Sequence, residues 1–292
     1  MHLIFRKLII YLTISYSSLC AIGAQFLTFP ENAYDLAIGS HVSFGGSASV
    51  NPSLIEPNYS TPLLGINSGH WYGGIRMSGV NYVHKIGNYS NKIFLRQAGI
   101  TDLEYRDDRP SDDPNTTFAA YGFSLGSGLS LNTSIGKFGA TISALYFTIY
   151  DQNSRGVSID LGYSNIINNG WGIGLSILNL GSVSKFYQEK PKLPTRFLAG
   201  ISKELVFKKT NNRFYTTGEF SSLNDTWKIK IGNDIQWKQI KLLGGYSITK
   251  YTSSMSFGSG FVYGRLGITY AIRMGSQEIG IPKTLSLSFR LP

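Results

Sequence analysis

The sequence predicts an all-β protein, a closed antiparallel β-barrel that crosses a membrane. Three observations carry that expectation. Apolar and polar residues alternate with a period of two along much of the chain. Charged residues make up only 15% of the composition while aromatics reach 13%, where a soluble domain usually carries about a quarter charged residues. The mean hydropathy is still close to zero. Long apolar helices would raise it; strict alternation does not.

The alternation is explicit in five segments. In 157–163, Val157, Ile159, Leu161 and Tyr163 face one way and Ser158, Asp160 and Gly162 the other. In 171–177, Trp171, Ile173, Leu175 and Ile177 oppose Gly172, Gly174 and Ser176. Residues 227–234 set Trp227, Ile229 and Ile231 against Lys228, Lys230 and Gly232. Residues 266–273 and 284–291 repeat the pattern and place Arg273 and Arg290 on the polar side. This is the signature of half-buried strands. A soluble sandwich alternates too, but two features favour a membrane barrel. The polar partners are rich in glycine and serine, which suit a crowded lumen. Aromatics cluster near strand ends (Tyr150, Tyr163, Trp171, Tyr246, Tyr263, Tyr270), as the interfacial girdles of outer-membrane barrels require.

No segment after Gln25 keeps a helical period over three turns. Turns are expected at 126–128, 166–170, 208–212, 221–225 and 258–260, with longer loops at 104–115 and 185–194. Residues 25–292 then form one domain. They suffice for fourteen spanning strands of about 9–11 residues; twelve or sixteen also fit, an even number being the rule.

The N-terminus reads as an export signal over residues 1–24. Arg6-Lys7 precede an apolar run from Leu8 to Ile22, followed by small residues at Gly23 and Ala24. The run is short of the ~20 residues that span a bilayer as a helix. Leu19 before Cys20 is not the small residue of a lipoprotein site. Cys20 is the single cysteine, so the exported chain has no disulfide and no cysteine-based chemistry. Full pairing of every strand in a closed barrel is another way to hold such a chain.

The net charge of +10 is spread along the chain without a basic block, and no nucleic-acid motif accompanies it. His41, His70 and His84 lack the spacing of a zinc site, and no nucleophile elbow surrounds a serine. Asp107, Asp108, Asp112 and Asp113 crowd one loop but lack calcium-loop spacing. No enzyme, no metal site, no cofactor and no nucleic-acid partner is expected.

The order of short motifs resembles the PorV/PorQ family of FadL-like outer-membrane barrels, its PorQ branch more than its PorV branch. The matching residues are Phe26-Leu27, Asn51-Pro52, Asp160-Leu161-Gly162, Asn179-Leu180-Gly181 and Leu193-Pro194. Ser53 replaces the usual alanine, and the chain ends in Leu291-Pro292 where an aromatic is common. The resemblance implies about fourteen strands and an N-terminal plug in the lumen, over residues 25–55, in the outer membrane of a Gram-negative bacterium. It implies a part in protein secretion or surface attachment of the type IX kind, with envelope proteins and cargo signal domains as partners beside outer-membrane lipid. The alternatives are a FadL-like channel for a hydrophobic ligand and a structural or porin-like barrel.

Within that frame Gly39, Gly45, Gly46, Asn51 and Pro52 are the candidate plug and gate residues. Asp160, Lys228, Lys230, Arg273 and Arg290 are candidates for the lumen wall, with Asp160 or Asp234 available to pair the cations. Asn179, Gly181 and Pro194 carry the family motif. Small residues let plug backbone approach the wall, Pro52 biases Asn51 to an extended conformation, and the Asn51 side chain can satisfy irregular backbone.

Overall fold

The computed structural model describes residues 23–56, 61–106, 112–186, 190–207, 209–223, 226–277 and 279–292. Fourteen strands run in sequence order: β1 (Leu63–His70), β2 (Arg76–Ile86), β3 (Tyr89–Tyr105), β4 (Thr116–Thr133), β5 (Gly136–Ile149), β6 (Gln152–Ile167), β7 (Trp171–Val183), β8 (Arg196–Phe207), β9 (Thr210–Ser221), β10 (Thr226–Trp237), β11 (Ile240–Thr249), β12 (Ser253–Tyr263), β13 (Leu266–Gly275) and β14 (Lys283–Arg290). Each pairs antiparallel with its neighbours in the chain, and β1 closes on β14 from Leu63↔Arg290 to His70↔Lys283. Closure leaves no strand edge unpaired.

Strand parity puts the apolar face outside. Val157, Ile159 and Leu161 on β6, Trp227, Ile229 and Ile231 on β10, and Leu285 on β14 are all exposed large hydrophobics. Their polar alternates Ser158, Lys230 and Thr284 are buried. A soluble sandwich would reverse this arrangement; a barrel immersed in hydrocarbon requires it. The connections differ between the two ends. Turns at 87–88, 134–135 and 264–265 are tight, whereas 71–75, 106–115, 184–195 and 276–282 are longer. Short turns mark the periplasmic end and long loops the outer end. The wall is uneven: β3 and β4 have 17 and 18 residues, β1 and β14 only 8.

Two glycine clusters expected to be turns are strand interior instead. Residues 126–128 lie within β4 and 258–260 within β12. Their glycines answer to packing: a Cβ on Gly128 would fall 2.6 Å from the Ile55 Cδ1, and one on Gly258 2.7 Å from the Ala37 Cβ. Glycine inside a strand marks a close approach of another segment as well as a turn. Irregularities occur where β3 pairs β4, between Ile100 and Leu103, and where β6 pairs β7, between Ile159 and Leu161. Residues 1–22, which hold most of the expected export signal and Cys20, and the carboxylates Asp107 and Asp108 lie outside the described residues.

The outward side chain of Ile231, near the middle of β10, tests this orientation. Ile231→Lys is expected to destabilise the folded barrel by about 2–4 kcal/mol, the cost of a cation at bilayer mid-depth, measured by reversible denaturant unfolding in lipid vesicles. An unchanged midpoint would mean that this face does not meet hydrocarbon.

Candidate functional site: a plugged lumen

Residues 24–56 run through the inside of the barrel, entering the described chain at the outer end and leaving at the periplasmic end. A 3-10 turn at Ala24–Thr28 comes first, then helix α1 (Ala33–Ile38), then a turn-rich coil, then a 3-10 turn at Pro52–Leu54. The helix is only six residues long, below what periodicity in the sequence can show. It is fixed by its caps. The Asn32 side chain accepts the Asp35 N–H at 2.9 Å, and Gly39 ends the helix at φ 95°, where glycine carries no steric penalty.

Three apolar clusters seat this segment. Phe26 and Leu27 pack near the outer end with Ala98, Leu145, Phe147, Val183 and Leu193. Phe29 stacks on Trp71 at 4.8 Å. Helix α1 packs Leu36, Ala37 and Ile38 against Tyr215, Leu243 and Ala271. Val42 and Val50 meet Leu178 and Leu198.

Between these clusters the backbone of the segment lies directly on wall glycines. A Cβ on Gly174 would fall 2.0 Å from the Val42 carbonyl oxygen, and one on Gly139 2.2 Å from the Pro52 carbonyl carbon. A Cβ on Gly162 would fall 2.0 Å from the Asn51 Oδ1, and one on Gly232 2.4 Å from the His41 Nε2. Any side chain there would push the segment off the wall.

Among the sequence-derived candidates, Asn51 is the best connected. It is fully buried. Its Nδ2 donates to the Val42 carbonyl at 2.6 Å and to the Tyr163 carbonyl of β6 at 2.9 Å. Its Oδ1 accepts from the Ser53 N–H and hydroxyl. One side chain thereby satisfies two plug elements and the wall. Pro52 opens the second 3-10 turn. Gly45 has φ 81° and lies under the Arg213 side chain; Gly46 packs on the His41 carbonyl.

Ion pairs pin the segment at both ends. Glu31 meets Lys92 of β3 at 2.7 Å, and Glu56 bridges Lys85 of β2 and Lys137 of β5. Burial pushes the Glu31 carboxyl up, but the Lys92 ammonium and Arg96 guanidinium outweigh it and hold it below the usual carboxylate range. Arg96 also donates to the Phe29 carbonyl at 2.9 Å. His41 donates from Nε2 to the Ile38 carbonyl, accepts at Nδ1 from Thr217, both at 2.8 Å, and stacks on Tyr215. Burial, with the Lys230 ammonium nearby, pushes this imidazole down to about 3, so it is neutral at physiological pH.

The wall candidates divide into two groups. Lys230 belongs to a buried triad: Glu219 takes a bidentate pair from Arg196 at 2.7 and 2.9 Å and a contact from Lys230 at 2.6 Å. Lys228 is the cross-strand neighbour of Glu219. The expected pairing with Asp160 or Asp234 is therefore replaced by pairing with Glu219, which sits on the strand between Arg196 and Lys230. Asp234 instead accepts from the Tyr34 hydroxyl at 2.9 Å. Arg273 reaches the Leu36 carbonyl and lies over Trp71. Arg290 has luminal parity but sits at the periplasmic rim, donating to the Gly264 carbonyl at 2.6 Å.

The motif residues form the β6–β7 irregularity. Asn179 adopts φ 59°. Its N–H donates to the Asp160 carboxylate at 2.7 Å and its side chain to the Pro194 carbonyl at 2.9 Å. Gly181 lies where a Cβ would be 2.0 Å from the Val157 carbonyl oxygen. Glu219, Arg196, Lys92, Glu31 and Glu56 are absent from the sequence-derived set. The first three alternate with outward apolar residues on their strands, which is the signal that could have marked them.

Small cavities lie between plug and wall among the described residues. One of about 30 Å³ is bordered by Glu31, Ser49, Lys92, Arg96, Thr141 and Asp160. Another of about 10 Å³ is bordered by Phe26, Phe29, Asn67, Met77 and Arg96. Each has room for about one water. Among the described residues no group of three His, Cys, Asp or Glu could hold a metal ion.

No protein-family model and no curated protein matches the chain by sequence. Solved structures do match the fold. The Pseudomonas putida toluene transporter TodX superposes with a TM-score of 0.67 at 11% identity, over 92% of this chain and 98% of that one. The Ralstonia pickettii toluene transporter TbuX gives 0.62 at 11% identity, over 91% and 100%. A Pseudomonas aeruginosa FadL homologue gives 0.61 at 10% identity, over 89% and 98%. The chain has the fold of the FadL-like 14-strand outer-membrane barrels.

Gly174→Val tests the seat of the plug. The added side chain meets backbone, which cannot step aside cheaply, so docking is expected to weaken by about 1–3 kcal/mol. Residues 40–52 should become protease-sensitive while the barrel keeps its heat-resistant migration in detergent gels. Gly218→Val, where a Cβ meets nothing within 4 Å, should leave both unchanged. Equal protease resistance of the two variants would contradict the glycine seat.

Proposed function

We propose that this chain is a non-enzymatic outer-membrane barrel that admits small hydrophobic molecules, with its N-terminal segment as the stopper. The observation that carries the reading is the apolar cluster at the outer end. Ala98, Leu145, Phe147, Val183 and Leu193 enclose Phe26 and Leu27 of the same chain. An aromatic and a branched side chain fill the place where a small apolar compound would lie on entry. Withdrawal of residues 24–29 would open it. The matched folds, two of them named as toluene transporters, support the same ligand class.

The packed lumen supports a second reading. The buried Arg196–Glu219–Lys230 triad and the small cavities fit a sealed barrel of the PorV/PorQ type, acting in secretion or surface attachment through its loops and envelope partners.

Uptake separates the two. Cells expressing the native barrel should accumulate a labelled monoaromatic hydrocarbon faster than cells without it. Phe26→Ala with Leu27→Ala should raise the initial rate several-fold further. Equal rates in all three strains would contradict the channel reading, and co-purification of secretion proteins in that case would support the second.

A further inference from the structure

The outer surface carries one polar patch that the barrel itself does not explain. Lys283 of β14, His70 of β1 and Arg76 of β2 stand in a single cross-strand row, since His70 pairs with both of the others. Paired residues share a face with Cβ atoms about 5 Å apart. All three side chains are exposed. Ser68, Ser78 and Gln97 form the row next below, paired Ser68↔Ser78↔Gln97. No hydrogen bond or ion pair joins any of these six side chains to another described residue.

Position makes this arrangement unusual. The patch faces outward at the outer end of the shortest part of the wall. The same two rows continue on β4 as Tyr121 and Phe123, through the pairs Gly99↔Tyr121 and Gln97↔Phe123. On β4 these rows are therefore aromatic, where on β1 and β2 they are polar or basic. Two basic side chains flank His70 with no acid between them, and unpaired amide and hydroxyl groups facing hydrocarbon are costly. β1, β2, β13 and β14 contain no Asp or Glu that could relieve the row. An anionic headgroup drawn down beside the short strands relieves both problems: its phosphate faces the cations and its polar linkage faces the serines and Gln97.

We infer that Lys283, His70 and Arg76, with Ser68, Ser78 and Gln97 beneath them, bind the phosphate-bearing headgroup of an outer-leaflet lipid. This assignment stands whatever passes through the lumen. Phosphate suits Arg and Lys as charge-assisted donors, and the membrane surface supplies it at high local concentration.

The test uses the full-length barrel in phosphatidylcholine nanodiscs doped with a phosphorylated glycolipid or its dephosphorylated form, with bound lipid counted by native mass spectrometry. Arg76→Gln with Lys283→Gln should weaken binding of the phosphorylated form about thirtyfold, the expected sum for two surface cations. Arg76→Lys with Lys283→Arg should retain it. The dephosphorylated form should not distinguish the variants. Heat-resistant gel migration confirms that each variant is folded. Undiminished binding by the glutamine pair would overturn the proposal. Displacement of the glycolipid by millimolar inorganic phosphate would also overturn it, because the site would then be one for free anions.

Discussion

The plugged state depends on one steric constraint: wall positions that plug backbone crosses cannot carry a side chain. A chain that passes through its own barrel must bring carbonyl and amide groups against strands already fully paired. Gly139, Gly174 and Gly232 leave those crossings empty of Cβ, and Gly162 leaves room for the Asn51 side chain. Glycine weakens a strand by roughly 0.5–1 kcal/mol relative to alanine. Its repeated use on the luminal face reflects the larger cost of displacing a buried segment. The same demand explains why small residues alternate with large lipid-facing ones.

Once the segment is seated, its polar groups need partners. Asn51 serves two stretches of irregular plug backbone and one wall carbonyl. Glu31 and Glu56 answer wall lysines. The Arg196–Glu219–Lys230 triad belongs to the wall alone, but Lys230 also reaches the Ser40 carbonyl at 3.3 Å. Truncating one member of such a buried set leaves an uncompensated charge, at a typical cost of 3–5 kcal/mol. The polar contacts thus fix where the segment lies, while Phe26, Leu36 and Val42 supply most of the apolar burial. Only the outermost part, residues 24–29, is held largely by apolar packing and by Arg96. That makes it the part of the plug with the fewest directional contacts to break.

Much of the barrel was legible in the sequence because a period of two is a direct record of which face meets lipid. Trp227, Ile229 and Ile231 announce an outward face whatever their neighbours do. Strand number was less legible, because turn chemistry and close packing both use glycine; Gly126 and Gly258 belong to the second kind. Helix α1 left no periodic trace in six residues. Asn51 and Pro52 stood out as a local motif, but the glutamates that pair the wall cations did not. Those pairings join residues distant in sequence, such as Glu31 with Lys92 and Glu56 with Lys137, and only the seating of the plug in the folded barrel sets which of them meet. The motif residues Asn179, Gly181 and Pro194 were visible as short words, while their physical roles emerged only with the β6–β7 irregularity. Luminal cations were readable from alternation, yet their partners were not, and Glu219 stands where Asp160 or Asp234 was expected.

Residues 33–56 are folded inside the barrel, and every other feature of the plugged lumen follows from that placement. Hydrogen–deuterium exchange on the native protein in lipid nanodiscs tests it most directly. Plug amides with backbone partners, such as Ser47 bonded to the His41 carbonyl at 2.7 Å and Gly39 bonded to the Asp35 carbonyl at 3.1 Å, should exchange over hours, close to the rates of neighbouring strands. Exchange of these amides within seconds, beside protected strands, would contradict the claim and leave the segment a tether outside the lumen.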